Sequence, residues 1–139
     1  MSYVVLAFWI VQSAVGLTLL VSWLRHASGR GARQVIPHVA TSVSGLVLWI
    51  WFIASGAILP AWLALIAITI GNTFGDIVLL GRVRRFAPQA RTLVQRYGAA
   101  IGGVFRGQLS PRVWFHALFA GVVYFTCLGV CIGETVAAG

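Results

Sequence analysis

Two histidines, His38 and His116, are the side chains of this chain whose type and placement could do chemistry in an apolar setting. Neutral imidazole is the commonest metal ligand, and two imidazoles facing each other from neighbouring helices form the usual axial pair of a b-type haem. Each histidine stands near the start of a long apolar run. Ser42 and Gly45 follow His38 by one and two turns, and Ala120 follows His116 by one, leaving space for a flat macrocycle. Arg33 and Arg112 precede the two histidines, where haem propionates would point. His38 and His116 are therefore expected metal ligands, with Arg33, Arg112, Ser42, Gly45 and Ala120 as cofactor-binding neighbours. The competing readings are two interfacial histidines bonded to loop carbonyls, or a different metal or proton site. His26, beside Arg25, reads as a solvated third histidine.

Asp76 is the only aspartate, and it shares a helix face with Asn72 four residues earlier. A carboxylate inside an apolar segment needs a partner. Three are open: an arginine such as Arg82 or Arg84, the distal nitrogen of a histidine ligand, or a bound cation. Asp76 and Asn72 are thus a structural anchor, a relay or tuning pair, or part of an ion site. Cys127 and Cys131 lie one turn apart, a poor geometry for a disulfide within one regular helix, and lack a third strong metal ligand even with Glu134 nearby. They read as buried thiols. Trp49 and Phe52 share the general face of His38 and line either a cofactor or quinone pocket or an aromatic packing layer.

These residues sit in a chain of 139 residues that is 60% apolar and 9% charged, with ten arginines, no lysine, one aspartate and one glutamate, for a net charge of +8. A mean hydropathy of +0.95 excludes an ordinary soluble domain, and the apolar content excludes disorder. The expected fold is all-α, an integral membrane four-helix bundle, in one membrane domain covering 1–139. Four runs are each near the roughly 20 residues needed to cross hydrocarbon: 3–23, 38–59, 61–80 and 113–133. Ser55, Gly56 and Pro60 break the stretch between the second and third, which reads as a tight helical hairpin. Gly71 with Gly75 and Gly129 with Gly133 make two GxxxG motifs, read as close helix packing within the bundle or against another subunit.

All ten arginines fall in the first loop or the third connection, on one side of the spans. Their bias makes that side cytoplasmic and places both termini outside, in a bacterial cytoplasmic (inner) membrane. It also argues against nucleic acid as the reason for the charge. The basic connection 81–112 carries Ala90, Leu93, Val94, Tyr97, Ile101, Val104 and Phe105 at helical spacing, opposed by Gln89, Arg91, Thr92, Gln95 and Arg96. This predicts a cytoplasmic amphipathic helix on anionic inner-leaflet lipid, or a docking surface for a soluble partner.

No GxSxG, Walker loop, HExxH or paired carboxylate is present, so acyl transfer, nucleotide hydrolysis, zinc proteolysis and glycoside hydrolysis lack their parts. Pro37-His38, the run Gly45 to Phe52, Ala61-Trp62, the arginine cluster and Phe115-His116-Ala117-Leu118-Phe119-Ala120 together resemble small uncharacterised four-helix membrane proteins of high-GC bacteria. In those proteins a histidine opens the second and the fourth helix. At the level of architecture the layout is also similar to the b-haem membrane anchors of respiratory enzymes, which implies electron transfer. Three functions are carried forward. The first is a subunit binding haem b between His38 and His116 and passing electrons to or from quinone or a partner protein, at most the electron-transfer part of an oxidoreductase. The second is a cofactor-free accessory subunit of a larger membrane complex or a homo-oligomer. The third is a small metal or ion transporter using His38, Asp76 and His116.

Overall fold

The computed structural model describes residues 1–138 and contains five helices: α1 (Ser2–His26), α2 (Ala32–Ser55), α3 (Ile58–Phe86), α4 (Leu93–Phe105) and α5 (Pro111–Ala138). All but α4 are long and apolar enough to cross a membrane. Leu17, Val43, Val47, Trp51, Leu118 and Phe125 are exposed around the bundle, a surface that water would not tolerate but hydrocarbon does.

The second and third runs form the expected hairpin, with its turn placed earlier than the apolar pattern suggested. Gly56 takes the left-handed conformation at φ 68°, and its N–H bonds the carbonyl of Phe52 at 2.9 Å, which closes α2 at Ser55. Pro60 does not break the chain. It is the third residue of α3, where a missing N–H has no intrahelical partner to lose. Pro37, by contrast, lies inside α2, which begins at Ala32 after a turn containing Gly29 and Gly31 at positive φ. His38 is therefore seven residues into its helix. The Thr41 hydroxyl donates to the Pro37 carbonyl at 2.7 Å beside this interruption. At the other end of α3 the helix continues through Arg82, Arg84 and Arg85.

α1 packs on α2 and α5, and α3 packs on the same two helices. This closes a four-membered ring in which α2 and α5 stand on one diagonal, α1 and α3 on the other. The apolar core has two parts. One surrounds Trp9, Trp49, Phe52, Leu65, Val123 and Cys127, and the second gathers Val83, Ala87, Ala90, Ala100, Leu109 and Val113 at the arginine-bearing end.

α4 is the helix expected in the basic connection, started by a capping box in which Thr92 accepts from the Gln95 backbone N–H. It docks on α3 through its small residues. The small residues Ala100 and Gly103 are buried, and a Cβ on Gly103 would meet the Phe86 ring at 2.9 Å. Leu93, Val94, Ile101 and Phe105 point outward. Close approach to α3 selects the small side of the helix and leaves the bulky apolar side free.

Candidate functional site

His38 and His116 meet between the two parts of the core. Their ring centroids are 6.0 Å apart and their planes are inclined by 80°. They reach this contact from the diagonal helices α2 and α5, and each ring rests on a glycine of the other diagonal. A Cβ built on Gly75 of α3 would lie 3.0 Å from His38 Cε1, and one built on Gly16 of α1 would lie 3.0 Å from His116 Cε1. Any larger residue at either position would displace an imidazole.

The His38 Nδ1 donates to the Gly71 carbonyl at 2.7 Å. A carbonyl only accepts, so Nδ1 carries a proton, and the tautomer with its lone pair on Nε2 is the one this bond selects. This is the usual orienting bond of a metal-ligating histidine. The Gly71–Gly75 motif is thus used inside the hairpin: Gly75 admits the ring, Gly71 supplies the acceptor, and Thr41 and Ser42 fill the space over Gly71.

His116 is held differently. The Gln12 Nε2 donates to the His116 carbonyl at 2.8 Å, while Gln12 Oε1 and His116 Nδ1 are both buried without a partner. Two orphaned polar atoms in one place are uncommon in a folded interior. Gln12 and Gly16 are one turn apart on α1 and together form the α1 side of the site. Neither was singled out in the sequence. The available signal was Gln12 itself, an amide deep in an otherwise apolar span.

The other expected site residues divide. Gly45 leaves no open space, because the rim of the Trp9 indole would lie 2.8 Å from a Cβ there. Ser42 faces Gly71, and Ala120 is half-buried one turn beyond His116. Arg112 is exposed one turn before His116 on the same face of α5, whereas Arg33 is exposed and stands about 140° round α2 from His38. Trp49 is an aromatic packing residue: it contacts Phe52 at 5.0 Å and Trp9 at 6.3 Å, and its indole N–H donates to the Ser2 carbonyl. Cys127 and Cys131 are free and fully buried in the same cluster. His26 is exposed and bonded to the Ser22 carbonyl. Among the described residues no group of three or more His, Cys, Asp or Glu side chains is placed to hold a metal ion.

Asp76 is not part of the imidazole site. Its carboxylate is exposed and accepts from the Tyr97 hydroxyl of α4 at 2.8 Å, a partner outside the three expected for it; Asn72 is half-buried one turn earlier. Burial, then the hydrogen bond and charge of Asp76, push the Tyr97 phenol up to about 12. A folded value above the usual 10 means that the contribution is complete below pH 10 and is lost as pH rises through about 12. Tyr97→Phe is expected to loosen α4 by about 0.5–1 kcal/mol, with faster amide exchange in α4 at pH 8 and no difference from the parent near pH 12.

No family model matches the chain, and no curated protein or solved structure does.

Proposed function

We propose that this protein is a membrane electron-transfer subunit that binds one b-type haem between His38 and His116. The observation that carries the reading is the imidazole pair at 6.0 Å between centroids, with His38 Nε2 left as a lone pair by the bond to Gly71. His38 and His116 would hold the iron of such a group through their imidazole nitrogens. Two protein nitrogens suffice because a porphyrin brings four of its own. Glycines at both flanking positions keep side-chain bulk away from the pair. Bound haem would supply one-electron chemistry to a quinone or a partner protein in the inner membrane of a bacterium. The Gly71 carbonyl fixes the His38 tautomer, and the apolar layers above and below exclude water.

Gln12 has a positioning role in this reading. Its Nε2 donates to the His116 carbonyl, so it fixes the stretch of α5 that carries the ring, while its own Oε1 and His116 Nδ1 have no partner. Losing that bond loosens the backbone that aims the ring, an outer-shell effect on whatever the ring would hold. Gln12→Leu is therefore expected to lower haem affinity by about tenfold, read by haem titration of the purified protein.

The direct test is an absorption spectrum of gently purified, detergent-solubilised protein, expressed with haem supplied, before and after dithionite. A shifted Soret peak and a sharp reduced α band are expected. Colourless protein would overturn the reading.

A cofactor-free accessory subunit is favoured by a separate observation. Nothing lies within 4 Å of a Cβ built on Gly129 or Gly133, so this second GxxxG is open to another helix. Gly129→Leu would then dissociate a larger complex on native gels without altering the spectrum.

A further inference from the structure

The arginine-bearing end of the bundle holds a groove of about 430 Å³ lined by Thr18, Leu19, Ser22 and Trp23 of α1, Arg82 of α3, and residues 110–113 at the start of α5. A second groove of about 510 Å³ continues from it past Thr18, Ser22 and Arg112 to Leu17, Val21, Arg25 and His26. Arg112 stands where the two join.

No acidic side chain lines either groove. The protein has only two, and both are elsewhere: Asp76 accepts from Tyr97, and Glu134 is near the far end of α5. Arginines from separate helices, Arg82 of α3 and Arg112 of α5, therefore line one groove without a carboxylate from the chain to neutralise them. The Ser22 and Ser110 hydroxyls stand among them, while the Thr18 hydroxyl already donates to the Val15 carbonyl. The chemistry that fits is a compact anion with several acceptor oxygens.

The walls point to the source of that anion. Leu17 and Val21, which line the second groove, are exposed on the outside of α1, and Leu24 continues this apolar surface. An acyl chain can lie along them while the phosphate sits at Arg112 and Arg82. We infer that this double groove is a specific site for an anionic phospholipid, with its headgroup phosphate held by Arg82 and Arg112 and one acyl chain on the Leu17 and Val21 face of α1.

Native mass spectrometry of the detergent-solubilised full chain tests this with phosphatidylglycerol, phosphatidylcholine and inorganic phosphate as separate probes. One phosphatidylglycerol per chain is expected in preference to phosphatidylcholine. Its affinity is expected to fall about five- to tenfold in Arg82→Gln and in Arg112→Gln, while Arg112→Lys keeps part of it. Arg91→Gln, outside the groove, should leave it unchanged. Equal losses in all the Gln variants would mean diffuse surface charge and would overturn the site. Competition by millimolar inorganic phosphate as effective as that of lipid would overturn the lipid assignment. Unchanged lipid retention with lowered haem content in Arg82→Gln and Arg112→Gln would assign the groove to cofactor carboxylates instead. A helical circular-dichroism spectrum of each variant confirms that it is folded.

Discussion

Purified His116→Ala and His38→Ala are each expected to lose the Soret band and the reduced α band, with haem occupancy falling at least about a hundredfold. Disturbing even the outer partners of a ligand commonly lowers metal affinity by 10–100-fold, and each of these variants removes one of only two protein nitrogens. The imidazoles are half-buried and meet on the bundle diagonal, so neither loss is made good by a neighbouring side chain. His26→Ala is the control: that ring is exposed and tied to its own helix through the Ser22 carbonyl, and its spectrum should match the parent. Free imidazole added to His116→Ala should enter the vacated space beside Gly16 and restore part of the six-coordinate spectrum. A structural role for His116 gives no such rescue. Retention of the parent spectrum in both histidine variants would exclude them as ligands.

The helical class and the four long apolar helices were legible in the sequence because hydrocarbon imposes length and composition on each segment separately. What the histidines face was not legible, because it depends on helix rotation, which packing decides. Gly16 and Gly75 show the difference. Both are glycines in apolar helices, and so are Gly121 and Gly129, yet the first pair receives imidazole rings while the second pair has open space. Gly45 shows the opposite error of inference: a missing side chain read as room for a ligand is filled by an indole from α1. Asp76 was expected to meet an arginine, a histidine nitrogen or a cation because a carboxylate inside an apolar segment needs a partner, but α3 turns it outward to Tyr97. The contact of α4 with α3 was not legible for a related reason. Hydrophobicity marks what avoids water, whereas docking onto the end of α3 is set by how closely two backbones approach, and Ala100 and Gly103 allow that approach.

Gly75→Leu is expected to be the most damaging substitution of a residue that holds no ligand of its own. A Cβ there would stand 3.0 Å from His38 Cε1 and 3.1 Å from Nδ1, tighter than ordinary van der Waals contact. The ring cannot yield freely, because its Nδ1 is bonded to the Gly71 carbonyl on the same helix as the intruding side chain. Moving it breaks that bond, leaves buried polar atoms unpaired at about 1–3 kcal/mol, and adds overpacking of about 1–3 kcal/mol. The same displacement misaligns Nε2. Haem occupancy should therefore fall together with the thermal midpoint, and Gly75→Ala should show a smaller loss of the same kind. Gly129→Leu separates this from a general intolerance of bulk in membrane helices: its Cβ meets nothing within 4 Å, and the isolated subunit should change by no more than about 0.5 kcal/mol. Pyridine haemochrome assays and thermal melts of the three variants measure both quantities. Equal haem loss in Gly75→Leu and Gly129→Leu would show that His38 does not depend on its glycine seat. Loss of stability without loss of haem in Gly75→Leu would mean that the ring holds the metal in a geometry other than the one fixed by Gly71.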